Sequence, residues 1–378
     1  MSKQMKTTTI TLILVISMVI SFSAGCILAT TSQGRDVVTE AWDIISQNYV
    51  DRTKLASANL SAAAIKGMVE ALDDPYTAYL DPQTYLLTVG DFQGKFDGIG
   101  ATVGLKDNII TIVAPIPDSP AAKAGIKPGD SILGINGQST SGMGVEEAVS
   151  LIRGPKGTAV KLLIQHLSEN GTIDIEIIRA EIKLTSVFFK MKGDTAYIKI
   201  THFTDQTDEE LLPVLGNITQ NGATGIILDL RSNPGGYLNE VVDIASHFLK
   251  EGIVVSTVDN QGRKETSSVK SGSIKTDLSM VVLTDNYSAS GSEVLAGALQ
   301  DYGRATIAGT QTYGKGSVNQ LYKLGDGSGL YITIGRWLTP HGRMIEGKGI
   351  SPDPGYELDL KGDDMVKWAL DFLKSKRQ

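Results

Sequence analysis

The chain is poor in the residues that build covalent cross-links and metal sites. Cysteine occurs once in 378 residues, as Cys26, which excludes an intramolecular disulfide and a cysteine-based metal cluster. Histidine occurs four times, and His166, His202, His247 and His341 are never spaced like the ligands of a metal ion. We therefore expect a protein without a metal site, stabilised by its apolar cores alone.

Clusters of basic residues are lacking as well. The 35 lysines and arginines are scattered and are outnumbered by 42 acidic residues, which gives a net charge of −7. Binding to nucleic acid requires a basic patch, so we expect no nucleic-acid partner. Repeats and low-complexity tracts are also missing. The length and the apolar fraction of 41% suit two or three globular domains of mixed α/β structure.

The longest apolar run lies near the N-terminus. Thr7–Ala29 carries no charge and follows Lys3 and Lys6. At 1.5 Å per residue, about 23 residues reach roughly 35 Å, which is enough to cross a bilayer. We predict that residues 1–33 form an uncleaved signal anchor. Two alternatives stay open: cleavage as a secretory signal, and lipidation of Cys26 within Ser23-Ala24-Gly25-Cys26.

Residues 34–94 are predicted to form a small helical domain. Apolar residues recur at helical spacing in Asp36–Tyr49 and in Asn59–Leu72, and Asp73-Asp74-Pro75-Tyr76 ends the second helix with a proline turn.

Residues 95–182 change to short β-runs separated by turns. The predicted strands are Ile99–Leu105, Ile109–Ala114, Ser131–Ile135, Ala159–Gln165 and Ile173–Arg179, with a helix at Val145–Arg153. Together with the run Ser119-Pro120-Ala121-Ala122-Lys123-Ala124-Gly125 and with Pro128-Gly129-Asp130, this segment resembles a PDZ domain. The resemblance implies a β-rich module with two helices that binds the C-terminal tails of proteins.

Gly98, Ile99, Gly100 and Ala101 stand in place of the carboxylate-binding loop of PDZ domains. The N–H groups of the first three can form a nest for a terminal carboxylate, and the edge of the next strand can pair with an extended peptide. The alternative is that the glycines merely serve a tight turn. Arg153, at the end of the helix, is either a solvated charge or a link that couples peptide binding to the catalytic domain.

From residue 183 to 360 strands and helices alternate. Strands are predicted at Thr195–Ile200, Thr224–Leu230 and Met280–Thr284, and helices at Glu209–Gln220, Gly236–Leu249 and Ser290–Tyr302; a β-rich tail follows through Leu338. This order is typical of βαβ units. Residues 361–378 are assigned to a terminal helix, Asp363–Lys374, whose apolar stripe serves either core packing or a homo-oligomer contact.

The strand that ends at Thr284 is followed at once by small polar residues and a helix. A hydroxyl at such a turn can act as a nucleophile, because the free N–H groups of the helix N-terminus stabilise a developing oxyanion. Ser288, Ser290 and Ser292 all qualify. The alternative is a capping box, with Ser290 as N-cap and Glu293 at the third helical position.

A serine nucleophile needs a base, and no histidine motif lies near a suitable element. Lys315 stands between Gly314 and Gly316. Burial disfavours the ammonium form of lysine, so a desolvated Lys315 can act as general base. The alternative is a solvated lysine in a turn.

Several motifs together resemble the tail-specific, carboxyl-terminal processing proteases of peptidase family S41. They are Leu72-Asp73-Asp74-Pro75-Tyr76-Thr77, the PDZ segment, Asp229-Leu230-Arg231-Ser232-Asn233-Pro234-Gly235-Gly236, Ser288-Ala289-Ser290-Gly291-Ser292-Glu293, Tyr313-Gly314-Lys315-Gly316 and Trp337-Leu338-Thr339-Pro340. The resemblance implies a multidomain α/β protein with a ClpP/crotonase-like serine protease domain. It also implies Ser290 as nucleophile and Lys315 as base, with oxyanion donors from Gly235 or Gly236 and from Gly291, and no cofactor.

With the apolar N-terminus, the resemblance implies a single-pass protein of the bacterial cell membrane whose catalytic part is extracytoplasmic. Its partners would be protein substrates bound through their C-termini. Two rivals stay open: a PDZ-based binding scaffold with a degenerate or latent protease domain, and a crotonase-like acyl-CoA enzyme.

The chain departs from the family pattern at two positions. Asn319 stands where a glutamine usually orients the lysine, and its shorter arm weakens that role unless Gln320 replaces it through a local shift. Gly291 stands where alanine is common, which keeps the N–H donor and loosens the turn.

Overall fold

The computed structural model describes residues 34–55, 57–167, 171–272, 275–360 and 362–376. The predicted anchor and Cys26 lie outside these residues. Within the described part of the chain, no helix is both long enough and apolar enough to cross a membrane.

Among the described residues, those before Leu72 belong to one compact unit and those from Leu72 onward to a second. The first unit contains a helix over residues 34–48 (α1), a 3₁₀ turn at Arg52–Lys54 and the helix Ser57–Glu70 (α2). The Asp51 carboxylate caps the 3₁₀ turn by accepting the Thr53 N–H. The helical lead-in is therefore present in the described residues.

The second unit begins before the predicted domain boundary at residue 94. Its first elements are β1 (Ala78–Leu80) and α3 (Pro82–Phe92). The Asp81 carboxylate accepts the N–H groups of Gln83 and Thr84, and Pro82 occupies the first helical position, which explains where α3 starts. Strand β1 pairs with a strand near the end of the chain, so residues 72–94 build part of the second unit rather than a separate helical domain.

The next elements form the PDZ-like part. They are β2 (Lys95–Gly98), β3 (Ala101–Lys106), β4 (Ile109–Pro115), α4 (Pro120–Lys123), β5 (Ser131–Ile135), β6 (Gln138–Ser139), α5 (Val145–Ile152), β7 (Ala159–Gln165), β8 (Thr172–Ile178) and β9 (Ala180–Lys183). The antiparallel sheet has the order β3-β4-β5-β7-β8, with β6 paired to β5, and β2 pairs separately with β9. A single apolar core lies between this sheet and the helices.

The remaining elements are β10 (Val187–Lys192), β11 (Thr195–Ile200), α6 (Thr207–Gln220), β12 (Gly225–Asp229), α7 (Leu238–Phe248), β13 (Ile253–Asp259), β14 (Lys264–Ser268), β15 (Ser279–Thr284), α8 (Gly291–Asp301), β16 (Thr306–Gly309), β17 (Ser317–Lys323), β18 (Gly329–Leu338) and α9 (Gly362–Ser375). Two sheets result. One has the order β10-β11-β12-β15-β16 and is parallel from β11 onward; the other has the order β1-β18-β13-β14, with β17 paired to β18.

The parallel sheet is buried on both faces. Along β12, Ile226 and Leu228 join the core that includes α7 and α8, whereas Ile227 faces the core that includes α9. Neighbouring residues of a strand point to opposite faces, so an uninterrupted apolar run is the pattern that a covered parallel strand requires. The apolar stripe of α9 packs against the sheet through Met365, Val366, Ala369 and Leu373. Of the two roles expected for the terminal helix, this is core packing.

Candidate active site

Ser290 occupies a strained turn between β15 and α8. Its backbone angles are φ 54° and ψ −113°, a conformation that is costly for any residue with a Cβ. A sharp strand-to-helix turn of this kind presents a serine hydroxyl at the carboxyl edge of a parallel sheet. Strain at this position therefore points to a nucleophile, and it was not predictable from the sequence pattern of helix capping.

The structure separates the three candidate serines. Ser288 and Ser292 are fully buried, and their hydroxyls donate to the backbone carbonyls of Leu230 (2.8 Å) and Asn233 (2.9 Å). Ser290 is partly exposed and lines a cavity of about 700 Å³. The outer two serines thus brace the turn, and Ser290 alone of the three lines this cavity.

The glycine-rich turn after β12 lies against Ser290. A Cβ on Gly235 would come within 2.8 Å of both the Ser290 Cβ and the Gly291 nitrogen, and a Cβ on Gly236 would collide with the Phe203 carbonyl. The Gly235 N–H donates to the Asn233 side chain at 2.8 Å. Among the described residues the N–H groups of Gly236 and Gly291 have no protein acceptor. These two donors are the ones available to an oxyanion.

The carboxylate of Glu293 joins the serine turn to the lysine loop. It is fully buried and accepts the N–H groups of Ser290 (2.8 Å), Lys315 (2.8 Å) and Gly314 (2.6 Å), as well as the Thr312 hydroxyl. Burial raises the pKa of Glu293, and the four donors oppose that rise. The Glu293 carboxylate therefore binds the backbones of both Ser290 and Lys315. This role goes beyond the helix capping that the sequence predicts.

The Lys315 amine lies close to two aromatic rings. Its Nζ is 5.3 Å from the centroid of the Tyr76 ring and 5.8 Å from that of Tyr331. Burial lowers the pKa of Lys315, and the carboxylates of Glu346, Asp74 and Glu293 act in the opposite direction. The lysine is thus partly desolvated, as a general base requires.

The Asn319 amide has partners other than the lysine. Its Nδ2 donates to the Tyr76 carbonyl and to the Thr333 hydroxyl, both at 3.0 Å, and its Oδ1 accepts the Ser317 hydroxyl at 2.9 Å. A bulge between Val318 and Asn319 shifts the register of β17. The exposed Gln320 accepts the Tyr322 hydroxyl at 3.1 Å, so the expected direct contact of either amide with Lys315 is not seen among these hydrogen bonds.

The cavity beside Ser290 has mainly apolar walls. They come from α3, α7 and the β17–β18 hairpin and include Phe92, Leu238, Leu321 and Trp337. The Phe92 ring lies 6.1 Å from that of Tyr331. Within the described residues, no group of histidine, cysteine, aspartate or glutamate side chains is arranged to hold a metal ion.

Comparison with known proteins relates the chain to three protein families. Models of three families match the chain: peptidase family S41 over residues 194–355, the PDZ domain over residues 111–166, and the N-terminal domain of the activating protease CtpB over residues 28–84.

Individual relatives agree with these models. The carboxy-terminal processing protease CtpB of Bacillus subtilis is 39% identical over 322 residues, which are 84% of this chain and 66% of the relative. The carboxy-terminal-processing protease of Bartonella bacilliformis is 40% identical over 315 residues, 80% of this chain and 72% of the relative. The chain belongs to the carboxy-terminal processing proteases, peptidase family S41. Members of this family are serine-type peptidases.

A solved structure supports the same family. The photosystem II D1 C-terminal processing protease has 29% sequence identity and a TM-score of 0.52, over 85% of this chain and 92% of that one. The predicted S41 protease fold with a PDZ domain is thereby confirmed.

In the PDZ domain of this family member, strand β3 lies at the edge of the sheet next to the glycine loop. Gly100 has a φ of 75°, and its carbonyl accepts the Ser119 hydroxyl at 2.8 Å, which closes the loop of Gly98, Ile99, Gly100 and Ala101. In the described chain β3 has one partner strand, β4, and its other edge lies beside α5. An extended peptide can add to that edge.

Arg153 of the protease is half-buried and contacts an aromatic ring. Its guanidinium carbon lies 4.3 Å from the centroid of the Phe96 ring in β2, a stacking distance for a cation–π contact. Strand β2 leads directly from α3, which forms a wall of the cavity beside Ser290. Arg153 therefore contacts the strand that connects the two parts.

Sequence reasoning missed three residues of the site. Tyr76 is part of the motif Leu72-Asp73-Asp74-Pro75-Tyr76-Thr77, but nothing in its spacing connects it with Lys315. Tyr331 and Glu346 carried no signal, because a tyrosine on a half-buried strand and a glutamate in a turn are common.

Proposed function

We propose that this protein is a membrane-tethered serine endopeptidase with a Ser290/Lys315 dyad, which selects protein substrates by their C-terminal tails through its PDZ domain. The observation that carries the proposal is the strained Ser290 turn at the edge of the cavity, tied through Glu293 to the loop of a desolvated lysine. Relatives named carboxy-terminal processing proteases support the substrate class.

These positions support an acyl-enzyme mechanism, which is part of the proposal. Neutral Lys315 takes the proton of the Ser290 hydroxyl while Oγ attacks the scissile carbonyl. The N–H groups of Gly236 and Gly291 stabilise the oxyanion, and two such donors account for a large part of the rate in acyl transfer. The lysine ammonium then protonates the leaving amine, and water releases the acid product from the acyl-enzyme.

The test uses the full chain in detergent and an unstructured reporter with an apolar C-terminus. Cleavage should be lost in Ser290→Ala and in Lys315→Ala, and a fluorophosphonate probe should label wild type but not Ser290→Ala. A Lys315→Ala variant that cleaves like wild type would exclude the dyad.

Membrane tethering rests on Thr7–Ala29. The full chain should partition with membranes and resist alkaline carbonate. A Cys26→Ala variant that leaves the membrane would indicate lipidation instead of a transmembrane anchor.

A second candidate is a PDZ scaffold with a latent protease domain. It is favoured by the Asn319 amide, whose hydrogen bonds go to Ser317, Tyr76 and Thr333. Binding of the tail peptide without cleavage or probe labelling would support it.

We further propose that Arg153 couples tail binding to catalysis. Arg153→Ala should slow cleavage of a reporter with the tail more than cleavage of the same reporter without it. An equal effect on both reporters would reduce Arg153 to a structural contact.

A further inference from the structure

The surroundings of Lys315 are built by a segment far away in the sequence. Tyr76 lies before β1, and its ring is one of the two whose centroids lie within 5.8 Å of the Nζ of Lys315. Tyr331, the other ring, sits on β18 directly opposite Ala78 of β1. Pairing of β1 with β18 therefore brings both rings to the lysine at once.

Tyr76 is fixed by its backbone. Its N–H donates to the Asp74 carboxylate at 3.0 Å, and its carbonyl accepts the Asn319 amide at 3.0 Å. The Thr77 hydroxyl donates to Asp74 at 2.7 Å and accepts the Thr333 N–H at 3.1 Å. Hydrogen bonds on both sides of this turn keep the Tyr76 ring in one place. The lysine side chain is flexible and therefore needs a fixed neighbour to define its position.

The negative charges around Lys315 oppose its action as a base, because they stabilise the protonated amine. Glu346, Asp74 and Glu293 all favour the ammonium form, and Oε2 of Glu346 is buried without a hydrogen-bond partner among the described residues. Something must keep water from the amine for the neutral form to be populated.

Each of the two rings affects the protonation of the amine in two opposing ways. A ring face attracts the ammonium ion, but only within about 6 Å, and distances of 5.3 Å and 5.8 Å lie near that limit. Exclusion of water disfavours the ammonium ion, and burial is the largest influence on the pKa of Lys315. Rings that shield the amine add to this burial, and their attraction for the ammonium ion is weakest near the limit of the cation–π range.

We propose that Tyr76 is a positioning residue for the Lys315 base: its ring, held in place by Asp74 and Asn319, confines Nζ and shields it from water together with Tyr331. The proposal rests on Lys315 being the base of the proposed function. It gives Asn319 a role through Tyr76 rather than through the lysine itself.

The experiment measures kcat/KM against pH for the full chain on the tail-bearing reporter. In Tyr76→Ala water reaches Nζ, so the acid limb should move up by about one pH unit and the rate near neutral pH should fall about tenfold. Tyr76→Phe keeps the ring and should restore the position of the limb. Tyr322→Ala, which removes an exposed tyrosine of β17, is the control for general effects.

A merely structural role would lower the rate without moving the limb. An unmoved limb in Tyr76→Ala, or a Tyr76→Phe variant as defective as Tyr76→Ala, would overturn the proposal. If Tyr76→Ala does not fold, Asn319→Ala takes its place, with a smaller shift in the same direction. Asn221→Ala, which removes an exposed asparagine of another helix end, is its matched control. An unmoved limb in a folded Asn319→Ala counts equally against the proposal.

Failure of the proposed function looks different. Lys315→Ala with wild-type activity would remove the base itself. An inactive Lys315→Ala together with a normal Tyr76→Ala would leave the dyad intact and reject only the role of Tyr76.

Discussion

Replacing Gly291 by alanine tests how tightly the oxyanion turn is packed. The residue starts α8, and its φ is not positive, so its backbone tolerates a side chain. The surrounding side chains leave no room for it, because a Cβ would lie 2.8 Å from Cγ2 of Val241 and 3.2 Å from Cδ2 of Phe203. Both neighbours are buried, and valine in a helix has little rotamer freedom.

The expected cost can be worked out from two opposing effects. Overpacking a filled core costs about 1–3 kcal/mol, and alanine in place of helical glycine returns about 0.5–1 kcal/mol. The catalytic domain should therefore lose roughly 0.5–2 kcal/mol, a fall in Tm of a few degrees. Activity should fall on the order of tenfold, because the Gly291 N–H moves with the backbone by a fraction of an ångström.

Calorimetry and reporter cleavage measure the two effects. Gly216→Ala is the matched control, since Gly216 is helical in α6 with nothing near its Cβ position, and it should stabilise the protein. Val241→Ala should reduce the cost of Gly291→Ala in the double variant. A Gly291→Ala variant as stable and active as wild type would refute the packing argument and show that Val241 yields freely.

Three further outcomes are expected. Ser288→Ala should destabilise the fold by about 1–3 kcal/mol in urea titrations, because buried polar groups are left without a hydrogen-bond partner. Ser290→Ala should lose activity with little loss of stability. Arg231→Ala should lower the free energy of unfolding by about 3–5 kcal/mol, since its aspartate partner is fully buried. Arg263→Ala, in an exposed ion pair, should lower it by less than about 1 kcal/mol. Equal losses in the two variants would contradict this reasoning. The acid limb of kcat/KM should lie below 10.5, the ordinary value for lysine, because burial lowers the pKa of Lys315.

Secondary structure followed closely from local patterns. Strands β5 and β7 have the predicted bounds, and Ser290 caps a helix that begins one residue later. These elements depend on alternation, turn residues and helix starts, all of which act within a few residues. The boundary of the lead-in domain did not follow, because strand β1 is short and its partner lies about 250 residues further along the chain.

The candidate site divides in the same way. The sequence by itself determined the chemical groups and their local settings: a serine at a strand-to-helix turn, a lysine between glycines, and glycines whose backbone can approach an oxyanion. Only the tertiary structure decided which glycine N–H groups are free, where the Asn319 amide binds, and that the rings of Tyr76 and Tyr331 lie 5.3 Å and 5.8 Å from the lysine Nζ. Desolvation depends on every group packed around an amine, and those groups come from strands that meet only when the whole chain has folded.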